Sequence, residues 1–157
     1  MKMKVAIGSD HKGYRLKEHI KAILQEMSLE YRDVGTFSEE RVDYTDFAAA
    51  VAMTVAQNEC DCGIAICATG IGASITANKV PGIRAALCHD TYLARMSRQH
   101  NNANVLCLGA LDVGIGHAED IVRTWLTTAY EGGRHQRRVD KIAQLERACA
   151  ELLKTKQ

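Results

Sequence analysis

Five short apolar runs, each followed by a stretch of helical character, constrain this chain more than any other feature. The runs lie at residues 4–8, 30–34, 63–67, 83–87 and 105–109. In residues 14–27 the apolar side chains Leu16, Ile20, Ile23, Leu24 and Met27 share one helical face, and Ile121, Val122, Trp125 and Leu126 mark a helix over 115–130. Residues 46–55 form an alanine-rich helix whose small side chains suit close packing on a sheet, and further helices are expected near 73–78 and 90–100. No two-residue hairpin signal joins successive runs. Parallel strands need long crossovers, and helices on both faces bury such strands fully, which is why they read as continuously apolar. The pattern predicts an α/β fold, with a five-stranded parallel sheet covered on both sides. At 157 residues the chain suits a single domain, 1–157, with no repeat or linker.

Twenty basic residues against 19 acidic ones leave a net charge of +1, which gives no electrostatic footprint for nucleic acid or an anionic membrane. Any anion must be gripped locally. The apolar segment at the amino terminus is far too short for a signal peptide, so a cytoplasmic protein is expected. The longest uncharged stretch, 62–78, is broken by glycine and polar in its second half, unlike a membrane span. Six cysteines, at 60, 62, 67, 88, 107 and 149, read as reduced thiols rather than a disulfide framework. Cys60 and Cys62 are one residue apart, no second Cys/His pair stands at zinc-finger spacing, and His-Glu-x-x-His is absent, so no metal is expected.

Residues 64–74 change character twice. Ile64 to Cys67 is an apolar strand end, Thr69-Gly70-Ile71-Gly72 a tight turn, and a helix opens near Ala73. A helix start presents unpaired N–H groups and the positive end of its dipole, and glycines let an anionic ligand approach closely. A thiol so placed can fall from a pKa of about 8.5 to roughly 3.5–7.5. Cys67 is therefore a candidate reactive sulfur, and Ala68, Thr69, Gly70, Ile71 and Gly72 a candidate anion cradle. The same residues also suit simple core filling. The glycines form neither the dinucleotide fingerprint nor a P-loop, and no arginine follows Cys67 to hold a phosphoryl group over a thiolate. Asp10 and His11 stand where the first strand hands over to a helix, the edge at which open α/β sheets bind ligands. Asp10 could equally act only as a cap there.

The carboxyl-terminal part, residues 131–157, behaves differently. After the break at Gly132-Gly133, Arg134 opens a last helix with a narrow apolar stripe of Val139, Ile142, Leu145, Cys149 and Leu152. A stripe that follows a complete α/β layer needs another surface, and a second subunit is the economical supplier. Arg134 and Arg138, four apart, are expected on one helical face. Cations near a helix start oppose its dipole, so the pair suggests a bound anion, although a solvated basic face fits the same pattern. Together with His100-Asn101 at a helix end, the set offers a cysteine base, a histidine acid, a hydroxyl donor and an oxyanion cradle. Such groups suit proton abstraction beside a sugar carbonyl, with no redox cofactor.

At this point the chain resembles the B-type ribose-5-phosphate isomerase family, which also contains galactose-6-phosphate isomerase subunits. The blocks that carry the likeness are Gly8-Ser9-Asp10-His11-Lys12-Gly13, Gly35-Thr36, Cys67-Ala68-Thr69-Gly70-Ile71-Gly72, Asn78-Lys79-Val80-Pro81-Gly82-Ile83-Arg84, Ser97-Arg98-Gln99-His100-Asn101, Asn104-Val105-Leu106 and Tyr130-Glu131-Gly132-Gly133-Arg134-His135. They cover nearly the whole chain in order. The resemblance implies a three-layer, Rossmann-like α/β/α sandwich and a homodimer whose active sites draw on both subunits, with further pairing into tetramers left open. It implies that Cys67 moves the proton between C1 and C2, that Thr69 and the amides of 68–72 hold the enediolate oxygens, and that His100 opens the furanose ring. His100 and Asn101 would come from the neighbouring subunit, Asp10 would bind sugar hydroxyls, and His11, Arg134 and Arg138 the phosphate. Some members carry a glutamate base at the position of Ala73, which cannot serve here.

Two positions depart from the family pattern. Leu111 stands where many members have an arginine that adds to phosphate binding from the partner subunit, and Tyr44-Thr45 stands for Tyr-Pro, a change expected to alter only a helix entry. The first leaves allose 6-phosphate, galactose 6-phosphate or a tetrose phosphate as alternative substrates beside the pentose phosphate. A sugar-phosphate sensor without turnover is a further alternative, against which Cys67, Thr69 and His100 argue together. A thiol redox role is weaker, because Cys67 has no Cys-x-x-Cys partner.

Overall fold

A computed structural model describes residues 3–155; residues 1–2 and 156–157, the ends of the expected domain and of its carboxyl-terminal segment, lie outside the described residues. Five strands alternate with helices: β1 (Lys4–Ser9), α1 (Tyr14–Glu26), β2 (Glu30–Asp33), α2 (Tyr44–Ala56), β3 (Cys62–Cys67), α3 (Ile71–Ala77), β4 (Ala85–Leu87), α4 (Thr91–Asn101), β5 (Val105–Gly109) and α5 (Ile115–Thr127). A 3₁₀ turn (Gly133–His135) leads into α6 (Gln136–Lys154). The sheet is parallel throughout, in the order β2-β1-β3-β5-β4. Among the described residues, no helix is long and apolar enough to cross a membrane.

The pleat sorts the core into two layers. Val5 and Ile7 of β1, Ile64 and Ile66 of β3, and Leu106 and Leu108 of β5 pack with α1, α4 and α5, around the fully buried Trp125. Ala6, Ala65, Cys67, Val105 and Cys107 point the other way, against α2 and α3. That second face is built from small side chains, Ala48, Ala52, Ala73 and Ala77 among them, so the helices ride close to the sheet. A Cβ at Gly63 would stand 2.5 Å from Val51 Cγ1. Since α1 leaves β1 toward one face and α3 leaves β3 toward the other, their loops part at the carboxyl edge and open a crevice between neighbouring strands. Ligands of open α/β sheets bind at such a switch point.

Several boundaries differ from those expected. The fourth strand begins at Ala85 instead of residue 83, because Asn104 Oδ1 accepts the Arg84 N–H at 2.8 Å and Ile83 N–H turns back to Val80 O. Asn78 then splints this edge strand, accepting Ala85 N–H and donating to Ala85 O, both at 2.9 Å. The third helix opens at Ile71, two residues before Ala73, because Gly70 in the left-handed region (φ 75°) turns the chain at once. The second opens at Tyr44, so Thr45 is its second residue. The fifth ends at Thr127, after which Glu131 N–H reaches Gln99 O at 3.1 Å.

Lys17 is fully buried among the apolar residues of α1, a placement that periodicity does not reveal. Its ammonium lies 2.6 Å from Asp33 Oδ2, and Lys21 lies 2.8 Å from the same oxygen. Asp33 also accepts the Gly35 N–H at 2.9 Å, which orders the loop after β2, and Gly35 O in turn accepts the Ser9 N–H at the end of β1 at 2.7 Å. Burial opposes the charge of Asp33, but Lys17, Lys21 and the Gly35 amide outweigh it and hold the carboxyl below its ordinary range.

Candidate active site

At the carboxyl edge, β3 ends in Cys67, buried at 4 % exposure. Gly70 doubles the chain back so that its N–H donates to Cys67 Sγ at 3.1 Å. Only glycine fits there: a Cβ would lie 2.4 Å from Leu87 Cδ1 and 2.9 Å from the Leu108 carbonyl carbon. Thr69 is exposed, and its Oγ1 accepts the Ile71 N–H at 3.4 Å. Two amides of the expected cradle thus point at the sulfur and at the hydroxyl that the chemistry calls for. Gly72 is roofed by Tyr44, whose ring would touch an added Cβ at 2.5 Å. Tyr44 is a contact to the cradle that the sequence reading missed. Ala73 is buried against α2, which leaves Cys67 as the proton-accepting candidate in this turn.

The neighbouring loop supplies Asp10 and His11. Asp10 is buried, and its Oδ1 accepts the Gly13 N–H at 2.9 Å; it closes the turn that leads into α1, whose N-cap is Gly13. His11 is half-buried and docked: its Nδ1 lies 3.2 Å from Val42 O and 3.3 Å from Val42 N, leaving the other edge of the ring uncommitted to this loop. Leu111 N–H donates to Ala68 O at 2.9 Å, which brings the Leu111 backbone to the cradle of its own chain, while its side chain is exposed.

His100, Asn101, Arg134 and Arg138 are placed elsewhere. Helix α4 runs back from the end of β4 to the start of β5, so its last turn lies at the opposite edge of the sheet from Cys67. Arg84, just before β4, confirms that position by donating from Nε to Asn101 O at 3.1 Å. His135 stacks on His100 with ring centroids 4.1 Å apart, bringing the segment around Arg134 to the same edge. Arg134 belongs to the 3₁₀ turn and Arg138 to the first turn of α6, so only Arg138 lies in the α-helix itself. Both are exposed. The apolar stripe is likewise exposed at Ile142, Leu145 and Leu152, whereas Val139 is buried. A groove of about 820 Å³ runs between α6 and the β4 edge, lined by Pro81, Ile83, Ala86, Ile142, Leu145 and Leu153. Glu146 spans its rim and accepts the Gly82 N–H at 3.0 Å.

The cysteines divide by environment. Burial pushes the Cys62 thiol up to about 12 and Cys88 up to about 11, and raises Cys60 and Cys107 as well. These four are inert core thiols near neutral pH. Cys67 alone among the buried five receives the amide of a glycine turn at its sulfur.

Comparison with known proteins agrees with this fold. The sequence profile of the Ribose/Galactose Isomerase family matches residues 5–142. Ribose-5-phosphate isomerase B of Escherichia coli K12 is 52 % identical over 143 residues, covering 91 % of this chain and 96 % of that protein. The solved ribose-5-phosphate isomerase B of Clostridium thermocellum superposes with a TM-score of 0.92 at 55 % identity, over 93 % of this chain and 99 % of that one. The enzyme from Mycoplasma genitalium, solved with bound ribulose 5-phosphate, gives 0.90 at 43 % identity, over 94 % and 98 %. With the family profile spanning most of its length and these relatives covered almost end to end, the chain belongs to the ribose/galactose isomerase family, as an aldose–ketose isomerase.

Proposed function

We propose that this protein interconverts ribose 5-phosphate and ribulose 5-phosphate, with Cys67 as the base. The observation that carries the reading is a strand-end thiol facing the amide of a glycine turn, in a chain of this family. The thiolate of Cys67 takes the C2 proton of the open-chain aldose. The freed electron pair forms the C1–C2 double bond, and negative charge moves onto O1. Thr69 and the amides of residues 68–72 hold the enediolate oxygens, where preorganised donors act most strongly on developing charge. A proton passes from O2 to O1 through Thr69, and the Cys67 thiol returns its proton to C1 as C2 becomes a ketone. Hydrogen and electrons stay within the substrate, so no cofactor is consumed. Asp10 binds the sugar hydroxyls, and His11, Arg134 and Arg138 the phosphate.

Ring opening belongs to His100, which with Asn101 serves the site of a second subunit. Two features support a two-fold dimer. The base and the ring-opening histidine stand at opposite edges of one sheet, and the α6 stripe and its groove leave apolar surface uncovered in a lone chain. The whole chain then acts as one isomerase domain in the cytoplasm, with its carboxyl-terminal segment in the dimer contact.

Leu111 favours a second reading of the substrate alone, because an exposed leucine beside the cradle offers no charge to a phosphate. Turnover with chelator present, run on ribose 5-phosphate beside allose 6-phosphate, galactose 6-phosphate and a tetrose phosphate, separates these substrates. Ribulose 5-phosphate formed fastest from the pentose supports the proposal, turnover of another sugar moves the substrate, and inactivity on all four favours a sensor. Cys67→Ala is expected to abolish exchange of the C2 proton with solvent deuterium while leaving substrate binding largely intact, and normal turnover in that variant would remove Cys67 from the mechanism.

A further inference from the structure

His100 does not stand alone. His135, buried at 4 % exposure, lies flat against it with the ring planes 9° apart. Across the edge of this stack, Glu131 Oε2 sits 4.0 Å from His100 Nε2 and 3.5 Å from His135 Nε2. Two imidazoles and a carboxylate within 4.8 Å make a conceivable ion site. Parallel rings, however, send their in-plane lone pairs side by side, whereas a tetrahedral ion needs them to converge.

The two histidines also differ. Arg134 Nε donates to His135 Nε2 at 3.2 Å, so that nitrogen is an acceptor and the His135 proton is assigned to Nδ1. Burial, then His100 and the Arg134 guanidinium, push the His135 imidazole down; Arg138 adds to this, and only Glu131 opposes it. With its Nε2 taking the Arg134 hydrogen bond, His135 is a plate that fixes the plane of the His100 ring. The carboxylate of Glu131 is left to pair with His100 Nε2, at a separation that can close when substrate binds.

We propose that Glu131 is a positioning residue for His100: it holds the imidazole across the His135 face and balances the positive charge that His100 takes up during ring opening. The proposal rests on the reading of His100 as the ring-opening group. In that step His100 accepts the proton of the anomeric hydroxyl and gives one to the ring oxygen, as the C1–ring oxygen bond breaks and the C1 carbonyl forms. Glu131 itself exchanges no proton with the substrate.

The two half-reactions can be read separately. Ribulose 5-phosphate cannot close to a furanose, because its C5 oxygen carries the phosphate, so exchange of its C1 hydrogen with solvent deuterium needs the base and cradle but no ring opening. Conversion of cyclic ribose 5-phosphate needs both. Glu131→Gln keeps the size of the side chain and the backbone bond to Gln99, and should lower kcat on ribose 5-phosphate by about tenfold or more, part of the roughly 10²–10⁴ that a general acid–base group supplies. Its C1 exchange from ribulose 5-phosphate should match that of the unsubstituted enzyme. Equal loss of both rates, or loss of neither, overturns the positioning role. His100→Asn provides the reference. If it separates the two rates and Glu131→Gln does not, the proposal for Glu131 alone is overturned; if His100→Asn fails to separate them, the ring-opening role itself is overturned, and Glu131 with it.

Discussion

Replacing Gly70 by alanine should be far more damaging than its single added methyl group suggests. Two costs meet at that position. The left-handed φ of 75° costs a non-glycine residue about 1–2 kcal/mol. The new Cβ would also stand 2.4 Å from Leu87 Cδ1, 2.9 Å from the Leu108 carbonyl carbon and 3.0 Å from Gly109 N. Two of those three neighbours are strand backbone that cannot swing aside, so overpacking adds about 1–3 kcal/mol. The total is about 2–5 kcal/mol. Gly82 provides a control, since its φ is also positive, at 83°, but a Cβ there meets nothing within 4 Å. Gly82→Ala should therefore cost only the strain of about 1–2 kcal/mol, reduced by the loss of unfolded-state freedom. Urea unfolding at one fixed protein concentration, followed by the fluorescence of the single, buried Trp125, measures both variants. Gly70→Ala should exceed Gly82→Ala by at least about 1 kcal/mol. Equal costs would mean that the turn is not clamped between β4 and β5, and the placement of the Gly70 amide on Cys67 would lose its support.

Two further outcomes follow from the ion pairs and the arginines. Asp33 is held below its ordinary range in the folded protein, so its contribution is present above the unfolded carboxyl value of about 3.9 and is lost as pH falls through the lower folded value. Asp33→Asn should destabilise by about 1.5–3 kcal/mol at pH 7, with the gap to the parent narrowing below about pH 4, as read by denaturant titrations across pH; a gap independent of pH would contradict the Lys17–Asp33–Lys21 pairing. Arg138→Ala should raise KM for ribose 5-phosphate by about tenfold or more with kcat little changed, the signature of lost uniform binding to a phosphate; steady-state kinetics with an unchanged KM would take Arg138 out of the phosphate grip.

The alternation of strands and helices was legible because burial on both faces writes itself as uninterrupted apolar runs, and β1, β3 and β5 follow the expected limits within a residue or two. The elements that shifted did so through contacts distant in sequence. The edge strand β4 lost its first two residues to the side chains of Asn104 and to a turn, which no local pattern encodes. Lys17 sits on the apolar face of α1 only because Asp33, sixteen residues on, neutralises it. In the site, Cys67 and its turn were readable from composition alone, since a thiol, glycines and a change from strand to helix fall within a few residues. That His100 stands at the other edge of the sheet from Cys67 follows from the direction of α4, and the sequence gives no sign of the stack with His135 or of the reach of Glu131. Those contacts depend on a bond between Glu131 N–H and Gln99 O that joins two segments some thirty residues apart.

The separation of Cys67 from His100 within one chain provides the most direct test of the account. Cys67→Ala and His100→Asn, each expected to be inactive on ribose 5-phosphate by itself, can be produced together in one cell so that their subunits mix. If sites draw on two subunits, a mixed dimer contains one site with both substitutions and one with neither, and random pairing should restore about a quarter of the parent's activity on ribose 5-phosphate. Activity no greater than the sum of the two variants alone would show that each site is built within a single chain, and the shared-site mechanism would fall.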